Sequence, residues 1–452
     1  MRGENSLTRM FGTDGVRGVA NRELTPELAF RLGRVGAYVL TRESTGSRIV
    51  VGKDTRISSD LLEAALISGI LSVGVDVLRL GVMTTPGVAY LTRHLRANAG
   101  VMISASHNPV EDNGIKFFGG DGFKLLDGVE DEIERLITLP DDTLPRPIGA
   151  AVGRVYDEPG DEAYRRFLIS TAAHRLDGLH LVLDCANGAA YAIAPRVFAE
   201  LGARVTVIHN HPDGVNINVG CGSTHPHVVQ RAVLETGADV GLAFDGDADR
   251  LIAVDNSGQV VDGDFVMAIC AKSLKDAGAL TDNTVVATVM SNLGFVKAME
   301  ELGITVEQTA VGDRYVMEAM RKGRHILGGE QSGHIIFLRH TTTGDGILTA
   351  VQLLDTMVAS GKALTELRQV MHRYPQLLEN VRVSDKHAWQ DNSRVQQALS
   401  NGEAMLNGNG RVLVRESGTE PLVRVMAEGL DEQVLQACVQ SIVEVVREEY
   451  GV

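Results

Sequence analysis

The sequence predicts an α/β fold: three similar mixed α/β domains and a smaller α+β C-terminal domain, arranged around a central cleft. Three observations lead there. One strand–loop–helix–glycine–strand design occurs three times. A chemically loaded loop follows each copy at a corresponding place. From about residue 371 the pattern changes to strand–loop–strand with a long amphipathic segment behind it.

The first copy is "RIVVGKDTRISSDLLEAALISGILSVGVDVLRLG" (48–81), the second "LHLVLDCANGAAYAIAPRVFAELGARVTVIHN" (179–210), the third "NTVVATVMSNLGFVKAMEELGITVEQTA" (283–310). In each, a helix stops on a glycine (Gly74, Gly202, Gly303) and a β-branched strand begins at once, which is helix-stop chemistry followed by strand chemistry. Repeated β-α-β units imply mainly parallel sheets with helices on both faces. Further along, each copy is followed by an apolar run and a polar loop: "SASHNP" (104–109), "DGDADR" (245–250) and "GGEQSGH" (328–334). Ligands of open α/β sheets bind beyond the strand ends, so three facing domains would converge these loops. Near the end, "RVLVRESGTEPLVRVMAEG" (411–429) reads strand, loop, strand, and Leu435, Cys438, Val439, Ile442 and Val446 fall on one helix face. The expected domains are 1–155, 156–257, 258–370 and 371–452.

Composition narrows the function class. Apolar residues make up 44% and charged residues 22% of 452, ordinary for a water-soluble globular chain. No secretory signal or membrane-spanning run is visible. Four dispersed cysteines without a C-x-x-C pair read as reduced thiols, and the expected location is the cytoplasm. A net charge of −15 argues against nonspecific nucleic-acid binding, while leaving room for an anionic small ligand in a locally basic cleft.

"GLAFDGDADRLIAVD" (241–255) carries the strongest chemical signal. Asp245, Asp247 and Asp249 sit on a tight loop between two apolar strands and repel one another unless cations compensate. An all-oxygen set suits a hard divalent ion such as Mg²⁺. An EF-hand is excluded, because its glycine and glutamate positions hold Arg250 and Asn256. Mg²⁺ commonly completes its shell with phosphate, and a phosphorylated Ser106 would supply one, with His107 and Lys116 balancing charge or moving a proton. Alone, "SHNP" is a turn.

"RESGTEPLVR" (415–424) has the composition of a phosphate cradle in Arg415, Ser417, Gly418, Thr419 and Arg424, or of a polar hairpin. "GGEQSGH" pairs Glu330 with Ser332, which suits neighbouring sugar hydroxyls, or is a plain turn. "FGTDGVRG" (11–18) and "VGDRY" (311–315) are weak alone. "HNHPDGVNINVGCGSTHPH" (209–227) holds four histidines and Cys221 at spacings that match no zinc pattern, and reads as a connecting loop.

Together, "GTDGVRG", "SASHNP", "NGIKFF", "DGDADR", "GGEQSGH" and "RESGTEPLVRV" resemble the α-D-phosphohexomutase superfamily over nearly the whole length, nearest to its branch acting on glucosamine phosphates. The resemblance implies a phosphosugar substrate. It implies Ser106 carried as phosphoserine, its phosphate completing the shell of one Mg²⁺ held by Asp245, Asp247 and Asp249. It makes Glu330 and Ser332 sugar contacts, and Arg415, Ser417, Gly418, Thr419 and Arg424 the site for the non-reacting phosphate. Arg17, Lys116 and Arg250 match basic residues near the reacting group. Some members carry a histidine in the loop matching "VGDRY"; here Asp313 and Arg314 stand there, so Lys116 is the expected acid/base, followed by His334 and His107. A homodimer is also implied, as is activation by glucosamine or glucose 1,6-bisphosphate.

Overall fold

Alternating β-branched runs and amphipathic helices build three open sheets and one small antiparallel sheet. The computed structural model describes residues 9–12, 14–44, 46–416 and 421–452. These divide into two compact units, one running to Met290 and resuming over Ile304–Gln369, the other comprising Ser291–Gly303 and Val370–Val452.

The first sheet contains β1 (Val16–Val19), β2 (Arg48–Lys53), β3 (Asp76–Val82), β4 (Ala99–Ile103), β5 (Asp112–Gly119) and β6 (Val155–Asp157) in the order β1-β5-β4-β2-β3-β6. The second contains β7 (His180–Asp184), β8 (Arg204–Ile208), β9 (Val240–Phe244), β10 (Leu251–Asp255) and β11 (Val260–Val261) in the order β11-β10-β9-β7-β8. The third contains β12 (Thr284–Thr288), β13 (Thr305–Thr309), β14 (Leu327–Gly329) and β15 (Ile335–Phe337) in the order β13-β12-β14-β15.

One four-strand kernel recurs in all three. Its first strand lies parallel between the second and the third, and a fourth pairs antiparallel with the third: β5 on β4, β10 on β9, β15 on β14. The loaded loops are the connections between third and fourth strands. β4 and β9 are buried at every residue, as expected for strands covered on both faces. The helix Ser58–Leu71, the helix Ile193–Glu200 and the helix Leu293–Glu301 are followed within two or three residues by Gly74, Gly202 and Gly303, with φ between +63° and +103°. That is the left-handed stop the sequence predicts.

In the second unit, β16 (Gln376–Arg382), β17 (Gly410–Glu416) and β18 (Leu422–Gly429) form an antiparallel sheet in the order β16-β18-β17. The helix Glu432–Tyr450 buries Leu435, Cys438, Val439, Ile442 and Val446, the predicted face. The helix Leu293–Glu301 belongs to this unit. Glu428 Oε2 accepts from Leu293 N at 3.0 Å, and Arg411 Nε donates to the same oxygen at 2.6 Å. Among the described residues no single helix is long and apolar enough to cross a membrane.

Candidate active site

The loop after β4 and the loop after β9 meet. Ser106 Oγ donates to Asp245 Oδ2 at 2.5 Å across 139 residues of sequence, and both groups are buried. Asp245, Asp247 and Asp249 each turn a carboxylate oxygen into one cluster, with the three oxygens within 4.8 Å of one another. Burial and the two neighbouring aspartates push the Asp245 carboxyl well above the usual range. Burial also acts upward on Asp249, but a hydrogen bond from His334 with the charges of Lys116 and Arg250 outweighs it and holds that carboxyl low. Buried Asp247 Oδ1 and Asp249 Oδ1 find no hydrogen-bond partner among the described residues. Crowded oxygens with unused lone pairs are the donor set of a hard divalent cation, so these residues fit Mg²⁺.

Cations surround the same cluster. Lys116, from the middle of β5, is buried and places Nζ 2.9 Å from Asp247 Oδ2 and 4.0 Å from Asp249 Oδ2. Burial works against its charge, but these carboxylates prevail and hold the ammonium above its ordinary pKa. Arg17 pairs with Asp14 at 3.1 Å, and Arg250 reaches Asp249 at 3.9 Å. The Nε atoms of Arg17 and Arg250 are buried without a partner among the described residues. Two guanidinium donors left open near His107 and the aspartates suit an anion.

His107 Nδ1 lies 3.3 Å from Ser106 Oγ, and burial, with Arg250 and Arg17 nearby, lowers its pKa to about 4. His334 is buried with Nδ1 3.5 Å from Asp249 and Nε2 3.5 Å from Asp313. Burial lowers its pKa, yet the carboxylates raise it to about 9. Gly344 N donates to Nε2 at 3.1 Å, however, and that requires Nε2 unprotonated. The backbone donor fixes the ring more firmly than a balance of charges, so we assign Nδ1–H turned toward Asp249. Asp313 also accepts from Lys124, and Arg314 pairs with Asp127 and Glu130.

The loop after β14 also joins this unit's site. Gly333 O accepts from Leu251 N at 3.0 Å, Glu330 is partly buried with its carboxyl raised by burial, and Ser332 is exposed. Arg415 and Arg424 form a cross-strand pair on β17 and β18 of the other unit. Both buried Nε atoms lack partners among the described residues, and burial together with Arg424 lowers the Arg415 pKa. Ser417, Gly418 and Thr419 lie outside the described residues, as does Thr13.

Comparison with known proteins agrees with this layout. Residues 8–143, 162–258, 262–374 and 378–445 match, in turn, α/β/α domains I, II and III and the C-terminal domain of phosphoglucomutase/phosphomannomutase. The chain belongs to the phosphoglucomutase/phosphomannomutase family. Within the family, it is 59% identical to a phosphoglucosamine mutase of Shouchella clausii, covering 98% of this chain and all of that one. A phosphoglucomutase/phosphomannomutase family protein of Burkholderia thailandensis superposes with a TM-score of 0.82 at 22% identity, covering 97% of each chain. An N-acetylphosphoglucosamine mutase of Aspergillus fumigatus, solved with GlcNAc-6P and magnesium, gives 0.71 at 18% identity over 97% of this chain and 95% of that one. Both structural likenesses speak to the fold.

Sequence reasoning missed three residues that shape this family member's site. Thr85, opening the helix Thr85–His94, donates from Oγ1 to Asp247 Oδ2 at 2.6 Å and from its backbone N to Asp247 O at 3.0 Å. Arg56 and Asn218 bind the backbone of the Ser106 loop. Asn218 belongs to the histidine-bearing stretch that reads as a mere connection. That stretch does bring His209 and Cys221 beside Asp184, but His209 Nδ1 and Gly222 N already occupy the Asp184 oxygens, so Asp184 braces the stretch through hydrogen bonds.

Proposed function

We propose that this chain interconverts glucosamine 6-phosphate and glucosamine 1-phosphate through a phosphoserine enzyme and a 1,6-bisphosphate intermediate. One observation carries the reading: the Ser106 hydroxyl bonded to Asp245 inside a pocket of three aspartates and unsatisfied arginines. The choice of an amino sugar rests on the 59% identity to a phosphoglucosamine mutase.

In the first half-reaction, O1 of the 6-phosphate attacks phosphorus on phosphoserine 106. The P–O1 bond forms as the P–Oγ bond breaks, O1 loses its proton and Oγ gains one. Lys116, kept as an ammonium by Asp247, gives Oγ its proton and, once neutral, takes the one from O1; His334 and His107 are the lesser candidates. In the second half-reaction, the 6-phosphate returns to Ser106 by the same exchange. Arg17 and Arg250 offer their open donors to the transferring group, where charge stabilisation and positioning supply most of the catalysis. Asp245, Asp247 and Asp249 would hold Mg²⁺ together with the Ser106 phosphate, and the ion would offset negative charge there. Glu330 and Ser332 take sugar hydroxyls, and Arg415, Ser417, Gly418, Thr419 and Arg424 take the phosphate that is not reacting.

The proposal includes domain limits at 155, 257 and 370, a homodimer, a cytoplasmic location, and activation by glucosamine or glucose 1,6-bisphosphate. The test is turnover of glucosamine, glucose and mannose phosphates with Mg²⁺ and trace bisphosphate. Fastest turnover of the amino sugar is expected. Faster turnover of a neutral sugar would establish a phosphoglucomutase or phosphomannomutase instead, and binding without any turnover would leave a phosphosugar-binding protein.

A further inference from the structure

Ser106 holds a left-handed backbone conformation, φ +53°, that non-glycine residues seldom adopt. Something must impose it. The carbonyl of Ser106 accepts two side-chain hydrogen bonds, from Arg56 Nη2 at 2.9 Å and Asn218 Nδ2 at 2.8 Å. The same two atoms serve the carbonyl of Asn108, at 2.9 and 3.1 Å. Arg56 Nη1 continues along the loop to the carbonyls of Asp112, at 3.1 Å, and Pro109.

Arg56 is itself fixed. Its Nε donates to Asp54 Oδ2 at 2.9 Å, and both side chains are wholly buried. Asp54 Oδ2 also accepts from Ser104 Oγ at 2.6 Å, whose oxygen accepts from Ser106 N at 2.9 Å. One buried ion pair therefore grips the N–H and the C=O of Ser106 together. Asn218 approaches from the connection after β8 of the second sheet, and its own N donates to Ala186 O in the loop after β7. Gly246 closes the other side: a Cβ there would stand 2.5 Å from Ser106 O.

A buried ion pair is weak evidence of stabilisation. This one directs its remaining donors at four carbonyls of a single loop. We propose that Arg56 and Asn218 are positioning residues that hold Ser106 Oγ in line for phosphoryl transfer, a lock that closes only when the first and second sheets are docked. This deepens the activity proposed above and rests on it.

The experiment compares Arg56→Lys and Asn218→Ala with the parent enzyme, measuring kcat, KM and phosphoserine content by intact mass. Lysine keeps the charge opposite Asp54 but cannot fork to several carbonyls. Expected is a fall in kcat of about 10- to 100-fold with unchanged KM, the scale of a small misplacement of a reacting atom. Crystal structures of the variants should show Ser106 leaving the left-handed region or its carbonyl displaced. Parental kcat, or a loss confined to KM, overturns the inference. Should Arg56→Lys fail to fold, Asn218→Ala carries the test alone. An Asn218→Ala crystal structure with Ser106 unmoved overturns the inference whether or not the parent turns over. A parent without mutase turnover counts against the proposed function instead.

Discussion

Two regions proposed to hold phosphate are built on opposite plans. Around Ser106, both polar backbone groups of the nucleophile are gripped, three aspartates crowd together, and lysine and arginine charges balance them within a buried pocket. On the β17–β18 hairpin, Arg415 and Arg424 stand opposite each other across the strands, and burial with the neighbouring Arg424 charge lowers the Arg415 pKa. The first region fixes geometry and balances its charges internally. The second leaves like charges opposed, so it gains most when an anion arrives. A centre that makes and breaks a P–O bond depends on placement within a fraction of an ångström. A centre that only anchors a phosphate needs charge and donors, and must release either end of the sugar.

Substitutions can break this contrast. Ser106→Ala should abolish mutase turnover while sugar-phosphate binding, followed by calorimetry, persists; substantial turnover in that variant would dissolve the distinction. Lys116→Gln removes the proposed proton carrier and should lower kcat about 10²- to 10⁴-fold, with a smaller change in KM. On the hairpin the order reverses. Arg424→Gln should raise KM about 10- to 100-fold, the worth of a charge-assisted hydrogen bond of about 1.5–3 kcal/mol, while kcat stays near the parent value. A kcat-dominated loss there would mean that the two regions share one task.

The smallest effect concerns His107. Its pKa falls from an ordinary 6.5 to about 4, burial being the largest cause. The folded state therefore binds fewer protons than the unfolded chain between these values, and stability falls as pH drops from about 6.5 toward 4. In the unphosphorylated protein, His107→Gln should flatten that part of the thermal-melting profile and leave the region above pH 7 unchanged. An unaltered acid limb would show that His107 is not held neutral.

Much of this was legible in the sequence, for a physical reason. Strand and helix periodicity and glycine stops are local, so the triplicated kernel and the place of its loops could be read directly. Asp245, Asp247 and Asp249 carry their own signal, because three carboxylates at alternate positions require compensation. Arg56, Thr85 and Asn218 carry no comparable signal. Their partners lie 50, 162 and 112 residues away, and no local pattern marks a donor aimed at a distant carbonyl or carboxylate. A hint existed in "KDTRISS", which follows β2 as "DCANG" follows β7, so a polar loop in an equivalent place invited the question of what it holds. The glycine- and histidine-rich stretch reads as a connecting loop, and nothing local in it marks Asn218 as the residue that bonds to the Ser106 loop.

The central claim is that the phosphoryl group travels by way of Ser106. Enzyme carrying a labelled phosphate on Ser106 can be mixed with unlabelled glucosamine 6-phosphate and Mg²⁺ and quenched within one turnover. The account predicts that label leaves the serine and appears at C1 of the sugar bisphosphate and product. Label retained on Ser106 while glucosamine 1-phosphate accumulates would contradict it.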